Sequence, residues 1–593
     1  MEKRIQGIGV SPGFAIGQLL CLDIKQVEVP CYTVSDKRQE LDRLRRAIDD
    51  VRTDLSLLYR RTAAQLGEGH ADIFKAHIML LDDVLLQEEV GARIEEEGLN
   101  VEYVLDEFVQ RYATIMRTAE DASFRERTAD LLDVLDRILN RLLDRERPNL
   151  QRLREPRVVL AHELAPSDAA TMKPGTVTGL ALDRGGASSH TAILARALEI
   201  PAVMGLETAC EIAESGMEVI VDGLRGLLIV EPAPETRARY QEQKEEFDKR
   251  RALLREDTTE TACLTRDGVE VPLLANIELP IEVDEDLKLF AYGVGLYRTE
   301  YLFLNRTTAP TEEEQYQAYA KAVKTFDPYP VQLRTMDIGG DKFVYYLGQG
   351  HEDNPQMGWR AVRFCLERPD IFKCQLRAML RASVHGNMQI MFPMISGLDE
   401  LRRVKELLEE VKEELRAEGT AFNDGVKVGS MIEVPSAVAL SGKLAKECDF
   451  FSIGTNDLIQ YSLAVDRENS RISYLYEPAH PAVLKMIAWT AKAAQRAGIP
   501  CALCGEMAGD PLYTELLLGL GVTQLSMSAI AIPVVREVVV RVHFDEAKEL
   551  AEHALSLGTA AEVKALLMRS LEYKDALGFY LHEDYKTQED GVS

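Results

Sequence analysis

From about Thr261 onward, short apolar or β-branched runs alternate with segments of helical spacing. Eight runs recur: "LLANI", "GVGLYRT", "VQLRTMD", "MQIMFPMI", "VGSMIEV", "FFSIGTND", "PCALCGE" and "TQLSMSA". Short continuous apolar runs separated by helices are the mark of buried parallel strands. Eight strand–helix units in roughly 300 residues predict a TIM (β/α)8 barrel. The front of the chain reads differently. "IQGIGVSPGFAIGQLLCL" and the stretch from "PRVVLAHEL" to "GLLIVEP" predict short strands of an α/β domain. Between them, from about Ser35 to Arg147, glycine and proline are scarce and apolar residues keep a helical period, so a helical bundle interrupts that domain. "PETRARYQEQKEEFDKRRALLRE" shows no clear apolar stripe and predicts an exposed linker helix. The fold class is therefore multidomain α/β. Its parts are residues 1–34 with 148–232, the insert 35–147, the linker 233–260, the barrel 261–575 and a polar tail 576–593.

Composition narrows the function classes. A chain of 593 residues is too long for one core. Its 69 Lys and Arg against 97 Asp and Glu give a net charge of −28. That balance argues against nucleic-acid binding and favours a basic protein partner. The opening residues contain no apolar run of signal-peptide length, and no stretch is long enough to span a bilayer. Nine scattered cysteines, an odd count, suit reduced thiols and a cytoplasmic location. "CALC" has CxxC spacing but lacks a second pair for zinc, and it ends a strand where a redox motif would open a helix.

The chemistry gathers where the barrel runs end. Asn276, Arg298, Arg334, Glu433, Asn456 with Asp457, Cys504, and Ser526 with Ser528 lie at those ends. In a barrel the C-terminal strand ends form the active-site mouth, and a buried sheet has no other use for such residues. Arg298 and Arg334, with Arg467 nearby in "AVDRENS", offer forked donors for phosphate or carboxylate. Glu433 and Asp457 are hard oxygen ligands suited to Mg²⁺. Asn456 can donate to an oxyanion. Cys504, beside Gly505 and Glu506, is either a proton donor or an inert buried thiol. Arginines with a magnesium site make up the equipment of phosphoryl transfer. No G-x-x-x-x-G-K-[ST] pattern occurs, so ATP is not the expected donor.

A second candidate lies in "DRGGASSHTAILARALEIPAVMG". Two glycines and two serines precede His190 at the start of a helix whose Ile193, Leu194, Leu198 and Ile200 can share an apolar stripe. Ser188 or Ser189 can cap it. A helix N-terminus offers unpaired N–H groups and the positive dipole end, which suits a phosphate.

Together, "GGASSHTAILARALEIPAVMG", "GVGLYRTEYLFLNR", "RTMDIGGDK", "NPQMGWRAVR", "GSMIEVPSAV", "FFSIGTNDLIQYSLAVDRENS" and "CGEMAGDP" closely resemble enzyme I of the bacterial phosphoenolpyruvate–sugar phosphotransferase system, in order and over nearly the whole chain. The resemblance implies a phosphoenolpyruvate–protein phosphotransferase. It implies His190 as the phosphorylated residue on a swivelling domain, and Arg298, Arg334, Asn456 and Arg467 as substrate contacts. It further implies Glu433 and Asp457 as Mg²⁺ ligands, Cys504 as the acid that protonates the enolate, the carrier HPr as acceptor, and a homodimer joined through the barrels. HPr is expected on the insert near Phe74, His77, Met79 and Leu80, ringed by Glu68, Asp72, Asp82 and Asp83. Hinges are expected near Arg147–Arg157 and Pro232–Arg255. The chain departs from the family's run at Ala187, Ser188 and Ala169, which leaves Thr171 or Ser189 to orient His190. The alternatives are a phosphoenolpyruvate-sensing paralogue and a pyruvate phosphate dikinase-like enzyme. The dikinase needs an ATP-grasp domain for which this chain has no room.

Overall fold

The structure, a computed structural model, describes residues 2–22, 29–66, 68–81, 84–117, 122–143, 150, 153–164, 168, 172, 175–186, 190–256, 262–278, 282–283, 285–303, 308–339, 354–467, 469 and 471–570. The chain divides into two compact units near Lys244.

The first unit holds an eight-stranded sheet. Its strands are β1 (Lys3–Gln6), β2 (Ile8–Ser11), β3 (Phe14–Cys21), β4 (Arg157–Ala161), β5 (Val177–Leu182), β6 (Ala202–Met204), β7 (Glu218–Asp222) and β8 (Leu227–Val230). They lie in the order β1-β8-β7-β3-β4-β5-β6-β2. β3, β4, β5 and β6 run parallel and the edges antiparallel. Both faces are covered, which is why runs such as "RVVLA" show no apolar–polar alternation. Val159, Leu180 and Leu182 pack on one side, and Val158, Leu160 and Ala181 on the other.

The insert between β3 and β4 is the expected helical bundle. It consists of α1 (Lys37–Leu66), α2 (Glu68–Leu81), α3 (Val84–Glu97), α4 (Val101–Arg117) and α5 (Ala122–Leu142). Asp36 caps α1, its Oδ1 accepting the amide N–H of Arg38 and of Gln39 at 3.1 Å each. One core runs through all five helices, including Leu55, Phe74, Val90, Val104 and Ile138. This corrects two of the expected docking residues. Phe74 and His77 are fully buried, His77 beside Asp133 of α5, so neither is available to a partner. Leu80 packs against the same core, whereas Met79 is exposed. The side chains of Glu68 and Asp72, and all of Asp82 and Asp83, lie outside the described residues.

α6 (His190–Ala197) packs on the β2–β4–β5–β6 side of the sheet. Its inward face is made by Ala192 and Ala195, both fully buried, with Leu194 and Leu198 half-buried beside them. Small residues seat this helix close to the sheet, and Leu194, Leu198 and Ile200 of the expected stripe join the same core, while the side chain of Ile193 lies outside the described residues. Glu199 then takes a left-handed conformation (φ 54°) and Pro201 follows, which ends the helix. Residues 187–189 and 169–171, which hold the expected cap and the substitute for Ala169, lie outside the described residues.

α7 (Pro234–Glu256) covers the linker. It has the buried seam that its charged sequence hides. Tyr240 and Phe247, seven residues apart, are each 2% exposed. Tyr240 sits edge-on to Phe14 with ring centroids 5.8 Å apart and donates to Asp222 Oδ2 at 3.1 Å.

The second unit is the predicted barrel. Its strands are β9 (Leu273–Ile277), β10 (Val294–Arg298), β11 (Val331–Arg334), β12 (Met388–Phe392), β13 (Lys427–Ile432), β14 (Phe450–Ile453), β15 (Cys501–Leu503) and β16 (Gln524–Met527). All eight are parallel and close in sequence order, β16 pairing with β9. Seven fall inside one of the eight apolar runs, and β13 begins one residue before its run, at Lys427. The tail from residue 571 lies outside the described residues. Among the described residues no helix is long and apolar enough to cross a membrane.

The burial contrast within α2 has a direct consequence. Phe74→Ala should destabilise the protein by about 3–5 kcal/mol, the usual cost of emptying a buried aromatic site. Met79→Ala should stay within about 0.5 kcal/mol of wild type. Urea unfolding followed by circular dichroism measures both.

Candidate active site

Strand closure brings the ends of β10, β11, β13, β14 and β15 to one mouth. Arg298 and Arg334 end adjacent strands in register with each other. Arg298 pairs with Glu278 of the loop after β9. Arg334 points inward, is 5% exposed, and must satisfy its charge within the protein. Its Nη2 donates to Glu300 Oε1 at 2.7 Å, and its Nη1 lies 3.3 Å from Asp337 Oδ2. Burial opposes the charged guanidinium, but Glu300, Asp337 and Glu433 outweigh burial and hold its pKa above the usual value.

A second buried guanidinium extends this network. Arg360 forks onto Asp337, with Nη2 at 2.9 and 2.8 Å from the two carboxylate oxygens and Nε at 3.1 Å. Its Nη1 reaches Asp457 Oδ1 at 3.5 Å and the Tyr461 hydroxyl at 3.1 Å. Glu300, Asp337 and Arg360 were not among the predicted site residues. Glu300 and Asp337 stand two and three residues beyond a strand end, so that distance along the chain was a usable signal. Arg360 follows no strand closely, and only the folded chain reveals its place.

Glu433 leaves β13 and is 1% exposed. Its Oε1 accepts the amide N–H of Met394 at 2.6 Å. Burial first, then repulsion from Asp457 and Asp337, raises its pKa to about 8 against the opposing pull of Arg334 and Arg360. Gly454, directly after β14, makes room for it, since a Cβ there would meet Glu433 Oε2 at 2.6 Å. Glu433 and Asp457 thus crowd negative charge at neighbouring strand ends, within a cradle that a methyl group would fill. That donor set suits a hard divalent cation. Mutual repulsion of this kind is what a bound cation relieves.

Cys504, directly after β15, is buried with Leu296, Met391, Met431 and Phe450. Its thiol donates to the Ile453 carbonyl oxygen at 3.6 Å. Burial pushes the thiol up to about 11; Glu433 adds to the rise, while the Ser452 side chain and the charges of Arg334 and Arg298 oppose it. The acid that disfavours the thiolate is Glu433 rather than neighbouring Glu506. Glu506 instead pairs with Asn456, which accepts its amide N–H at 3.0 Å and donates to its carboxylate at 3.3 Å. Arg467 and Asn456 meet at Tyr476, whose hydroxyl donates to the Asn456 carbonyl at 3.4 Å and hydrogen-bonds Arg467. The barrel therefore collects seven of the eight predicted site residues. His190 opens α6 in the other unit, and its side chain lies outside the described residues.

The sequence matches known families and proteins over nearly its whole length. The chain matches the family described as "PEP-utilising enzyme, PEP-binding domain" over residues 252–544. It matches "PEP-utilising enzyme, N-terminal" over 6–127 and "PEP-utilising enzyme, mobile domain" over 153–226. The phosphoenolpyruvate-protein phosphotransferase of Geobacillus stearothermophilus is 43% identical over 569 residues, covering 96% of this chain and 98% of that one. That of Bacillus subtilis (strain 168) is 40% identical over 574 residues, covering 96% and 100%.

The chain belongs to the phosphoenolpyruvate–protein phosphotransferase family.

It is an enzyme of that activity, and the PEP-binding match spans all seven barrel residues named above. The mobile-domain match spans His190. The barrel thus places two kinds of group at one mouth, guanidiniums whose charge suits an anion and carboxylates whose charge suits a cation.

Crowding at Gly454 can be separated from generic glycine effects. Gly454→Ala should cost about 1–3 kcal/mol through overpacking against Glu433. Gly442, in the helix Pro435–Leu444, has open space where a Cβ would go. Gly442→Ala should stabilise by up to about 1 kcal/mol. Guanidinium chloride unfolding compares the two.

Proposed function

We propose that this enzyme transfers the phosphoryl group of phosphoenolpyruvate to its own His190 and then to a histidine of the carrier protein HPr, releasing pyruvate, as the first step of sugar uptake by the phosphotransferase system. The observation that carries this reading is the gathering of Arg334, Glu433, Asp457 and Cys504, whose raised pKa keeps its thiol protonated, at one barrel mouth beyond the ends of β11, β13, β14 and β15.

Arg298 and Arg334 bind the substrate's phosphate and carboxylate, with Asn456 and Arg467 closing the other side of the mouth. Buried donors act strongly here because little water competes with them. Glu433 and Asp457 would hold Mg²⁺, which when bound supplies positive charge to the substrate's oxygens. A neutral imidazole nitrogen of His190 attacks phosphorus. The bond from phosphorus to the enol oxygen breaks, and its electron pair stays on that oxygen. The resulting enolate takes a proton at its methylene carbon from Cys504, giving pyruvate, and the thiolate regains a proton from solvent. A thiol with a pKa of about 11 stays protonated at neutral pH, as a donor must. The start of α6 offers its dipole to the phosphorylated imidazole.

One histidine serves two partners in this scheme, so its domain swivels between the barrel mouth and the helical insert. The acidic charge of the whole chain speeds encounter with a basic carrier. A homodimer joined through the barrels completes the reading.

Incubation with phosphoenolpyruvate labelled in its phosphoryl group, with Mg²⁺, should place acid-labile label on His190. His190→Ala should carry none yet still bind the substrate. Binding without label on the wild type would instead mark a phosphoenolpyruvate sensor.

Cys504→Ser retains the shape but is a far weaker acid. Pyruvate release should fall about 10²–10⁴-fold, the worth of a positioned acid, with substrate affinity near wild type. In the wild type the donor works while protonated. The proton-delivery step should therefore persist through neutral pH and decline only on the alkaline side, as pH approaches about 11. Solvent deuterium incorporated stereospecifically into pyruvate, followed against pH, reads that step.

A further inference from the structure

His162, Asp183 and Cys210 come from three separate turns of the β1–β8 unit. His162 follows β4, Asp183 follows β5, and Cys210 lies in the short helix Ala209–Ile212. Among the described residues they form a group in which one ligand atom from each lies within 4.8 Å of the others. His162 Nδ1 is 2.7 Å from Asp183 Oδ2. The Asp183 side chain is 1% exposed and the His162 ring 53%. Asp183 is held firmly, its Oδ1 accepting the Ala209 amide N–H at 2.7 Å and its Oδ2 that of Cys210 at 3.2 Å.

We propose that His162, Asp183 and Cys210 form a three-ligand site for a divalent cation of the zinc class, separate from the barrel. The donor set decides the class. One thiolate, one imidazole and one carboxylate select a borderline-soft ion, where Mg²⁺ takes oxygen ligands. Zinc bonds of about 2.0–2.3 Å place tetrahedral ligand atoms roughly 3.3–3.8 Å apart. The three ligand atoms lie within 4.8 Å of one another, and the 2.7 Å His162–Asp183 contact must open to reach that spacing, which an exposed ring supplies by swinging outward. The amide bonds to Asp183 are the outer support that orients a ligating carboxylate. The exposed side of His162 leaves the fourth position to water. Binding releases the Cys210 proton, and any proton on the coordinating histidine nitrogen, to solvent. The bound ion would staple three turns together, one of them the turn from which the chain runs on to His190.

Cobalt is the probe, because tetrahedral thiolate-bound Co²⁺ shows a thiolate-to-metal charge-transfer band that carboxylate sites lack. One equivalent of Co²⁺ added to the full chain should produce the band, and Zn²⁺ should abolish it. Cys210→Ser should remove it. His162→Ala should weaken Co²⁺ binding by at least about tenfold, the least that loss of even an outer partner costs. Cys504→Ser should leave the band unchanged, which separates this site from the barrel mouth. Circular dichroism establishes that each variant is folded. The proposal is overturned if the wild type shows no band, if folded Cys210→Ser keeps it at wild-type affinity, or if Cys504→Ser loses it.

Discussion

The barrel mouth depends on charge balance inside a buried network. Glu300, Asp337 and Glu433 are almost fully buried, and Asp457 is 8% exposed. Two buried guanidiniums, Arg334 and Arg360, run among them. Removing any of these ions from water is costly, and pairing alone makes it tolerable. Four carboxylates stand against two guanidiniums, and burial, with repulsion from Asp457 and Asp337, raises the pKa of Glu433. Any one of these residues therefore sets the state of the others. Loss of one partner leaves a charge buried without compensation, a larger penalty than the loss of a surface pair.

The scaffold makes such a network possible by dividing labour along the strands. Barrel strands are short and apolar, with Val294, Leu333, Ile390 and Leu525 fully buried, so the network adds little to strand formation and the strands simply aim it. Support comes from behind. Gln375, on the helix Pro369–Ala382, accepts the Met336 amide N–H at 2.9 Å and donates to Thr299 at 3.0 Å. Thr299 in turn donates to the Arg334 carbonyl at 2.9 Å. The loops that carry Glu300 and Asp337 are thus fixed by buried hydrogen bonds, and rigid positioning is what electrostatic stabilisation of a reacting anion requires.

The first unit uses charge differently. Its sheet is sealed on both faces by aliphatic residues. Two buried carboxylates of its sheet, Asp183 and Asp222, serve backbone turns. Asp222 accepts the amide N–H of Leu224 at 3.1 Å and of Arg225 at 2.9 Å, and it receives the Tyr240 hydroxyl. Here acidic groups hold loops in shape, while in the barrel they confront one another. In the proposed reaction this difference fits the roles: the barrel holds the substrate's charge, and the sheet unit carries His190.

The sequence by itself determined the architecture. Eight apolar runs became eight strands because each run is long enough to cross the barrel and is bounded by polar residues that cannot enter it. Arg298, Arg334, Glu433, Asp457 and Cys504 were legible for the same reason, since a charged or reactive residue ending a buried strand stands out against its apolar background. Tertiary structure alone decided the rest. Phe74 and Met79 look alike in a helical period, and only packing of α2 against α1 and α5 separates the buried one from the exposed one. The seam of Tyr240 and Phe247 is too sparse to rise above the charges of α7. The link from Arg360 to Asp337 and Asp457 spans 23 and 97 residues of sequence. No local pattern encodes such a pairing, because pairing of buried charges is set by distance in space, and folding alone assigns that distance.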